Sequence, residues 1–257
     1  MADVLPTAAP GGVAPGRVAH GRVAPVVVVT GASQGIGEAA ILAFAEGVPG
    51  ARLALVSRNA ARMEAVAARA REHGAEAEVF PCDVTQDEAV AETARAILAR
   101  FGPPAVLVVN AGAFEPGMIE TTTAEAFRRQ LDANLTSAFL TTQAFLPAMR
   151  AARRGLLFYM GSVASVRAYP GGVAYCAAKH GLLGLARVVR EETKADGLRV
   201  TTLLPGATRT PSWDGTPEPD ERFMPPEDIA RALLDVWRLS DRTVIEEMLM
   251  RPQLGDL

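Results

Sequence analysis

The sequence is poor in the residues that build cross-links and metal sites. Its 257 residues include only two cysteines, Cys82 and Cys176, and three histidines, His20, His73 and His180. Two cysteines in a chain this long make no disulfide framework and fit a reducing, cytoplasmic setting. No Cys/His cluster has zinc-ligand spacing, so no metal is expected. Neither sign of charge dominates: 26 Lys and Arg against 29 Asp and Glu leave a net −3. That balance argues against a nucleic-acid surface or one made for anionic membranes. No apolar run approaches the ~20 residues of a membrane span, and aromatic residues are only 5% of the chain.

Apolar residues make up 49%, and their arrangement alternates between two periods. Short β-branched or aliphatic runs predict strands at Val26–Thr30, Ala51–Arg58, "EAEVFPCDV", Ala105–Asn110, Gly155–Ser162, Leu198–Pro205 and "TVIEEMLM". Between them lie helical spacings: "IGEAAILAFAEG", Asn59–Gly74 (Asn59 as N-cap, Gly74 as C-cap), Gln86–Phe101, Thr123–Ala151, the segment beginning at Tyr175, and "PEDIARALLDVW". This order predicts an α/β fold: a doubly wound parallel sheet of Rossmann type in three layers, as a single domain over residues 26–257. Residues 1–25, rich in Ala, Gly, Pro and Val, read as a flexible tail or an extended start outside it.

"TGASQGIG" (Thr30–Gly37) joins the first strand to the first helix. Gly31 suits a tight turn with positive φ, Gly35 a close approach to a pyrophosphate, and Gly37 close packing of helix on strand. The free N–H groups of the helix start can hold an anion. Nucleotide binding through Gly31, Ser33, Gly35, Ile36 and Gly37 is therefore expected; the other reading is an ordinary turn with incidental glycines. The tip of the second strand reads Ser57-Arg58, where an NAD site usually carries an acid. A guanidinium there suits a 2′-phosphate, so NADP(H) is favoured over NAD(H), unless Arg58 merely faces solvent.

Tyr175 and Lys179 are four residues apart and share a helix face. A neighbouring ammonium favours the phenolate, so the pair is suited to moving a proton near neutral pH. Alone, the spacing also fits a surface pair by chance. Ser162, at the carboxyl end of an apolar strand, adds a hydroxyl where open α/β sheets place ligands.

Taken in order, Thr30–Gly37, "NAG" at Asn110–Gly112, Asn134 in "DANLTSAF", Ser162, "YCAAK" and "PGATRTP" resemble the short-chain dehydrogenase/reductase family, over essentially the whole chain after Pro25. The resemblance implies a catalytic set. Tyr175 would donate a proton to the substrate oxygen. Lys179 would hold the nicotinamide ribose and lower the Tyr175 pKa. Ser162 would stabilise the developing charge, and Asn134 would anchor a water relay. Asp83 and Val84 would border the adenine. Asn110, Ala111 and Gly112 would line the cofactor floor, and Pro205, Gly206, Thr208 and Thr210 would meet the nicotinamide and pyrophosphate. Each also has a structural reading, Asp83 as a helix cap and Asn134 as a partner of helix backbone.

A short loop over about 208–226 would cover a small carbonyl or alcohol substrate. Phe114, Tyr169, Trp213 and Met118 are candidates for an aromatic wall, although Trp213 and Phe223 could equally pin the loop to the core. The end of the chain is similar to bacterial sepiapterin-reductase-like members, which would make the substrate a pterin side-chain ketone or another small α-dicarbonyl, with Asp214 pairing a pterin amino group in the first case. The resemblance also implies a homodimer or homotetramer, for which Leu182, Leu183 and Leu185 are compatible as interface or as core. An alternative of another class is a dinucleotide-sensing protein without turnover.

Overall fold

The computed structural model describes residues 24–257. The tail expected over 1–25 falls outside that range except for Ala24 and Pro25. Those two are tied to the fold: Arg52 donates to the Ala24 carbonyl from Nε (3.1 Å) and Nη2 (2.9 Å), and its backbone N–H donates to Pro25 O.

Seven strands form one parallel sheet: β1 (Val26–Thr30), β2 (Arg52–Ser57), β3 (Glu76–Pro81), β4 (Val106–Val109), β5 (Gly155–Met160), β6 (Leu198–Pro205) and β7 (Glu247–Met250), in the spatial order β3-β2-β1-β4-β5-β6-β7. Every residue of β1, β4 and β5 is buried, because helices cover both faces and an interior strand then has no wet side. Alternation along β1 divides the core. Val27 and Val29 pack with α1 (Gly35–Gly47), α2 (Ala60–Glu72) and α7 (Pro226–Arg238). Val26 and Val28 pack with α3 (Asp87–Phe101), α5 (Ser137–Ala152) and α6 (Val173–Thr193) on the other face. Phe44 of α1 meets Trp237 of α7 edge to face at 6.2 Å, which closes the first layer.

β1 has β2 on one side and β4 on the other. The chain therefore reverses its direction of winding there, and a crevice opens at the carboxyl ends of β1 and β4.

Three expected elements differ. The helix expected over Thr123–Ala151 is α4 (Ala124–Leu131), one π turn (Asp132–Thr136) and then α5. Helix α2 stops at Glu72 with His73 as its cap, and Gly74 follows in the left-handed region at φ +80°. Only the last four residues of "TVIEEMLM" form β7, because only they lie beside the carboxyl half of β6, from Thr202 to Pro205.

Candidate active site

The turn after β1 is shaped by its glycines. Gly31 and Gly35 have φ of +68° and +58°, where a side chain is strained. A Cβ on Gly37 would stand 2.2 Å from the Gly31 carbonyl oxygen, so α1 can lie this close to the turn only with glycine there. The N-cap of α1, Gln34, makes no side-chain cap, which leaves the first N–H groups of the helix for an anion. Ser33 and Ser57 join their hydroxyls across the turn at 3.0 Å. Ile36 is partly buried against the core. Bare glycines and free helix N–H groups are the features a diphosphate would need here.

Asn110, expected on the cofactor floor, is bonded to the glycine turn. Its amide Nδ2 donates to Thr30 O (2.9 Å) and Gly31 O (3.4 Å), and the N–H groups of Asn110 and Ala111 both donate to Thr30 Oγ1. Asn110 clamps β4 to the glycine turn. Ala111 and Gly112 then continue along the crevice, and a Cβ on Gly112 would stand 2.6 Å from Asn134 Oδ1 and 3.5 Å from Lys179 Nζ.

At the tip of β2, Arg58 is exposed beside Asp83. Burial pushes the Asp83 carboxyl up, but hydrogen bonds from Thr85 and the Arg58 guanidinium outweigh it and hold the group below its usual value. Asp83 Oδ1 accepts from both Thr85 N (3.1 Å) and Thr85 Oγ1 (2.8 Å), and the N-cap of α3 is Gln86. The capping reading of Asp83 is thereby replaced by a local turn. Val84 packs against the core layer of α3, α5 and α6.

Asn134 sits in the π turn between α4 and α5. Its Nδ2 donates to Ala113 O (2.7 Å) and Gln130 O (3.0 Å), and its Oδ1 accepts from Ala113 N (3.3 Å). A π turn frees one backbone carbonyl from the helical ladder and is common at functional positions. Here it carries a buried amide up to the segment after β4.

Ser162 follows β5 and caps a short 3₁₀ turn, Val163–Ser165: its Oγ accepts from Ala164 N at 3.1 Å, and Ser165 Oγ accepts from Ser162 N at 3.2 Å. Ser162 also shares a side-chain hydrogen bond with Tyr175 in the first turn of α6. Lys179, one turn further on, is 4% exposed and donates to Met160 O at 2.9 Å. The serine, phenol, ammonium and amide are thus brought together by β5, α6 and the π turn.

The expected effect of Lys179 on Tyr175 is not what the geometry gives. Burial pushes the Tyr175 phenol up, and the opposing influence is the Ser162 hydrogen bond. The Lys179 ammonium lies 5.5 Å from the centre of the Tyr175 ring and is bonded to the Met160 carbonyl. Its own burial lowers its pKa from 10.5 to about 8. Desolvation dominates both groups in this water-poor crevice.

Phe114 stands edge-on to Tyr175 at 5.2 Å. Tyr169 is the other aromatic neighbour; burial first, then Tyr175 and Cys176, push its phenol up. Both rings, and Met118, are about half exposed. Trp213 instead packs on Phe223 at 5.1 Å, with the Arg209 guanidinium over Phe223, which favours the loop-pinning reading. Asp214 faces Arg209 at 3.8 Å, so its carboxylate already has a cation. Thr208 is buried and donates to Gly206 O, and Thr210 lies against Gly35, 3.1 Å from where a Cβ would stand. The strand end Pro205–Gly206 thus leads a loop directly over the glycine turn. The residues missed by sequence reading are Ser165, Arg209 and Gln130; only Ser165, three residues after Ser162 in a capping-box pattern, left a readable signal.

Comparison with known proteins agrees with this geometry. Residues 25–220 match the family model described as short chain dehydrogenase. A sepiapterin reductase of Chlorobaculum tepidum is 33% identical over 238 residues, 90% of this chain and 98% of that protein. A D-threitol dehydrogenase of Mycolicibacterium smegmatis is 35% identical over 218 residues, 80% of this chain and 83% of that protein. Among solved structures, an alcohol dehydrogenase from the archaeon Thermococcus sibiricus, complexed with 5-hydroxy-NADP, is 32% identical at a TM-score of 0.85, covering 91% of this chain and 99% of the other. A metagenomic short-chain oxidoreductase in complex with NADP is 35% identical at a TM-score of 0.78, covering 90% and 98%. With the glycine cradle at one end of the crevice and the Ser162, Tyr175 and buried Lys179 set at the other, this chain belongs to the short-chain dehydrogenase/reductase family of oxidoreductases.

Proposed function

We propose that the chain is an NADP(H)-dependent reductase of a small ketone or aldehyde, also running the reverse alcohol oxidation, with Tyr175 as general acid and base. The carrying observation is the Ser162–Tyr175 hydrogen bond with buried Lys179 one helical turn away. Bound at the glycine cradle, the cofactor would supply the hydride. Ser33, Ser57 and Arg58 would meet an adenosine 2′-phosphate; the reading is supported by the joined Ser33 and Ser57 hydroxyls and by a tip of β2 that carries Ser57-Arg58 and no acid. The NADP in the similar structures agrees with that choice.

Tyr175 delivers the proton to the substrate oxygen as the carbonyl carbon is reduced, and Ser162 donates a hydrogen bond to that oxygen as negative charge grows on it. Burial holds Tyr175 protonated, which suits a proton donor in the reductive direction. Lys179 refills the proton, from the side on which Asn134 and Gly112 line the crevice.

The test is NADPH oxidation with a panel of ketones, diketones and pterins, alongside equilibrium titration with NADPH and NADH. Tyr175→Phe should lose turnover by a factor on the order of 10² to 10⁴ while its NADPH affinity stays near that of the wild type. Turnover unchanged by this substitution removes Tyr175 from the chemistry. NADPH binding with no carbonyl reduced favours a dinucleotide-sensing protein, and tighter NADH binding overturns the cofactor choice. A pterin side-chain ketone is the second reading of the substrate, supported by the sepiapterin reductase that matches over nearly its full length.

A further inference from the structure

The last residues of the chain turn back onto the site. After β7, Gly206 N donates to Met250 O at 2.7 Å, Pro252 is buried, and a turn closes from Gly255 N to Pro252 O at 2.9 Å. The turn delivers Asp256 to the carboxyl end of β6. A Cβ on Gly206 would stand 3.2 Å from Pro252 Cδ, 3.3 Å from Asp256 Oδ1 and 3.4 Å from Val163 Cγ2. Three segments therefore meet at one point: the strap 251–257, the glycine after β6, and the residue next to Ser162.

Asp256 is held by two cations. Arg251 grips it with a two-pronged bond, Nε to Oδ1 at 2.9 Å and Nη2 to Oδ2 at 2.6 Å. Arg167 approaches Oδ2 from the other side with Nη1 at 3.7 Å. Arg167 belongs to the segment between Ser162 and Tyr175, and its N–H donates to Val163 O at 2.9 Å. One carboxylate thus ties the end of the chain to the segment that carries the proposed proton-transfer groups. Paired guanidinium–carboxylate bonds are directional as well as attractive, so the tie fixes where the strap stands and not only that it stays.

We propose that the strap 251–257 forms a wall of the substrate crevice, and that Asp256 is the positioning residue that holds this wall against Gly206 and Val163, the neighbour of Ser162. This rests on the reading of the crevice as a carbonyl site. The wall is built by the chain's own end, at the side of the crevice away from the glycine cradle. Gly206 itself stays held by its bond to Met250 O, so loss of the tie should act on substrate binding and leave cofactor binding near that of the wild type.

The test compares wild type with Asp256→Asn and Asp256→Glu, with Asp241→Asn as a control at an exposed carboxylate that faces Arg199 at 3.6 Å. Two readouts are taken: amide hydrogen exchange at Val166, Arg167 and Gly255, and steady-state kinetics with equilibrium NADPH titration. Asp256→Asn should speed exchange at those three amides. It should also raise KM for the carbonyl roughly fivefold, about what loss of one partly exposed ion pair is worth, with the NADPH Kd unchanged. Asp256→Glu should recover part of both effects and Asp241→Asn should show neither. Unchanged exchange in Asp256→Asn overturns the tie, whatever the chain reduces. Faster exchange with KM unchanged overturns the substrate wall. A wild-type chain that reduces no carbonyl, yet shows the exchange change, overturns the carbonyl reading and not the tie.

Discussion

Lys179 shows how far burial can move a group whose identity looks simple. An ammonium that is 4% exposed, bonded to one carbonyl oxygen, has its pKa lowered from 10.5 to about 8 because burial penalises the charged form. Folding therefore weakens proton binding at this position. Between about pH 8 and 10.5 the unfolded chain holds more protons than the folded one, so stability rises with pH through that window; below it both states are protonated and the contribution is flat. Denaturant titrations should show wild type gaining stability across that range relative to Lys179→Met, by up to about 3 kcal/mol. Equal pH dependence in the two proteins would mean that Lys179 titrates as if in water. In the proposed reaction the same shift predicts that kcat/KM for reduction falls above about pH 8, where the cation beside Tyr175 is lost.

At the scale of elements, the joint between β1 and α1 tolerates no added atom. A Cβ at residue 37 would sit 2.2 Å from Gly31 O and 2.8 Å from Asn110 Nδ2. One contact is backbone and the other is the amide that clamps β4 to the turn, so neither can rotate away cheaply. Gly37→Ala should cost about 1–3 kcal/mol of stability, read from urea midpoints, and weaken nucleotide binding by displacing the cradle. The π turn is the second joint. A regular helix from Ala124 to Ala152 would place residue 134 by its 3.6-residue period alone, whereas the wider turn sets Asn134 beside Ala113 and completes three hydrogen bonds there.

Across the whole molecule, the leucines weighed as an oligomer face are consumed inside. Leu182 and Leu183 are buried, and Leu185 packs against the core layer of α3, α5 and α6. The large apolar side chains left exposed on α5 and α6 are Phe139, at 46%, and Val188, at 54%. Among the described residues, no helix is long and apolar enough to cross a membrane, and no cluster of His, Cys, Asp or Glu is arranged to hold a metal ion.

The strand and helix alternation, the glycine turn and the shared helix face of Tyr175 and Lys179 were legible in the chain itself, because each depends on local spacing, whereas Ser162 joined that pair only through its place at a strand end and the family resemblance. β-branched runs want burial on two faces, a positive-φ turn wants glycine, and i, i+4 residues share a side of a helix. The remaining features depend on residues far apart in the chain. Asn110 proved to be a clamp because Thr30 lies beside it across β1 and β4. Trp213 turned to Phe223, ten residues away, and Asp214 found Arg209. Asp256 reached Gly206 and Arg167, across 50 and 89 positions of sequence, only because β7 lays the chain's end beside β6. Spacing determines which groups a single element can present; which of them stay free for chemistry is decided by what the fold packs against them.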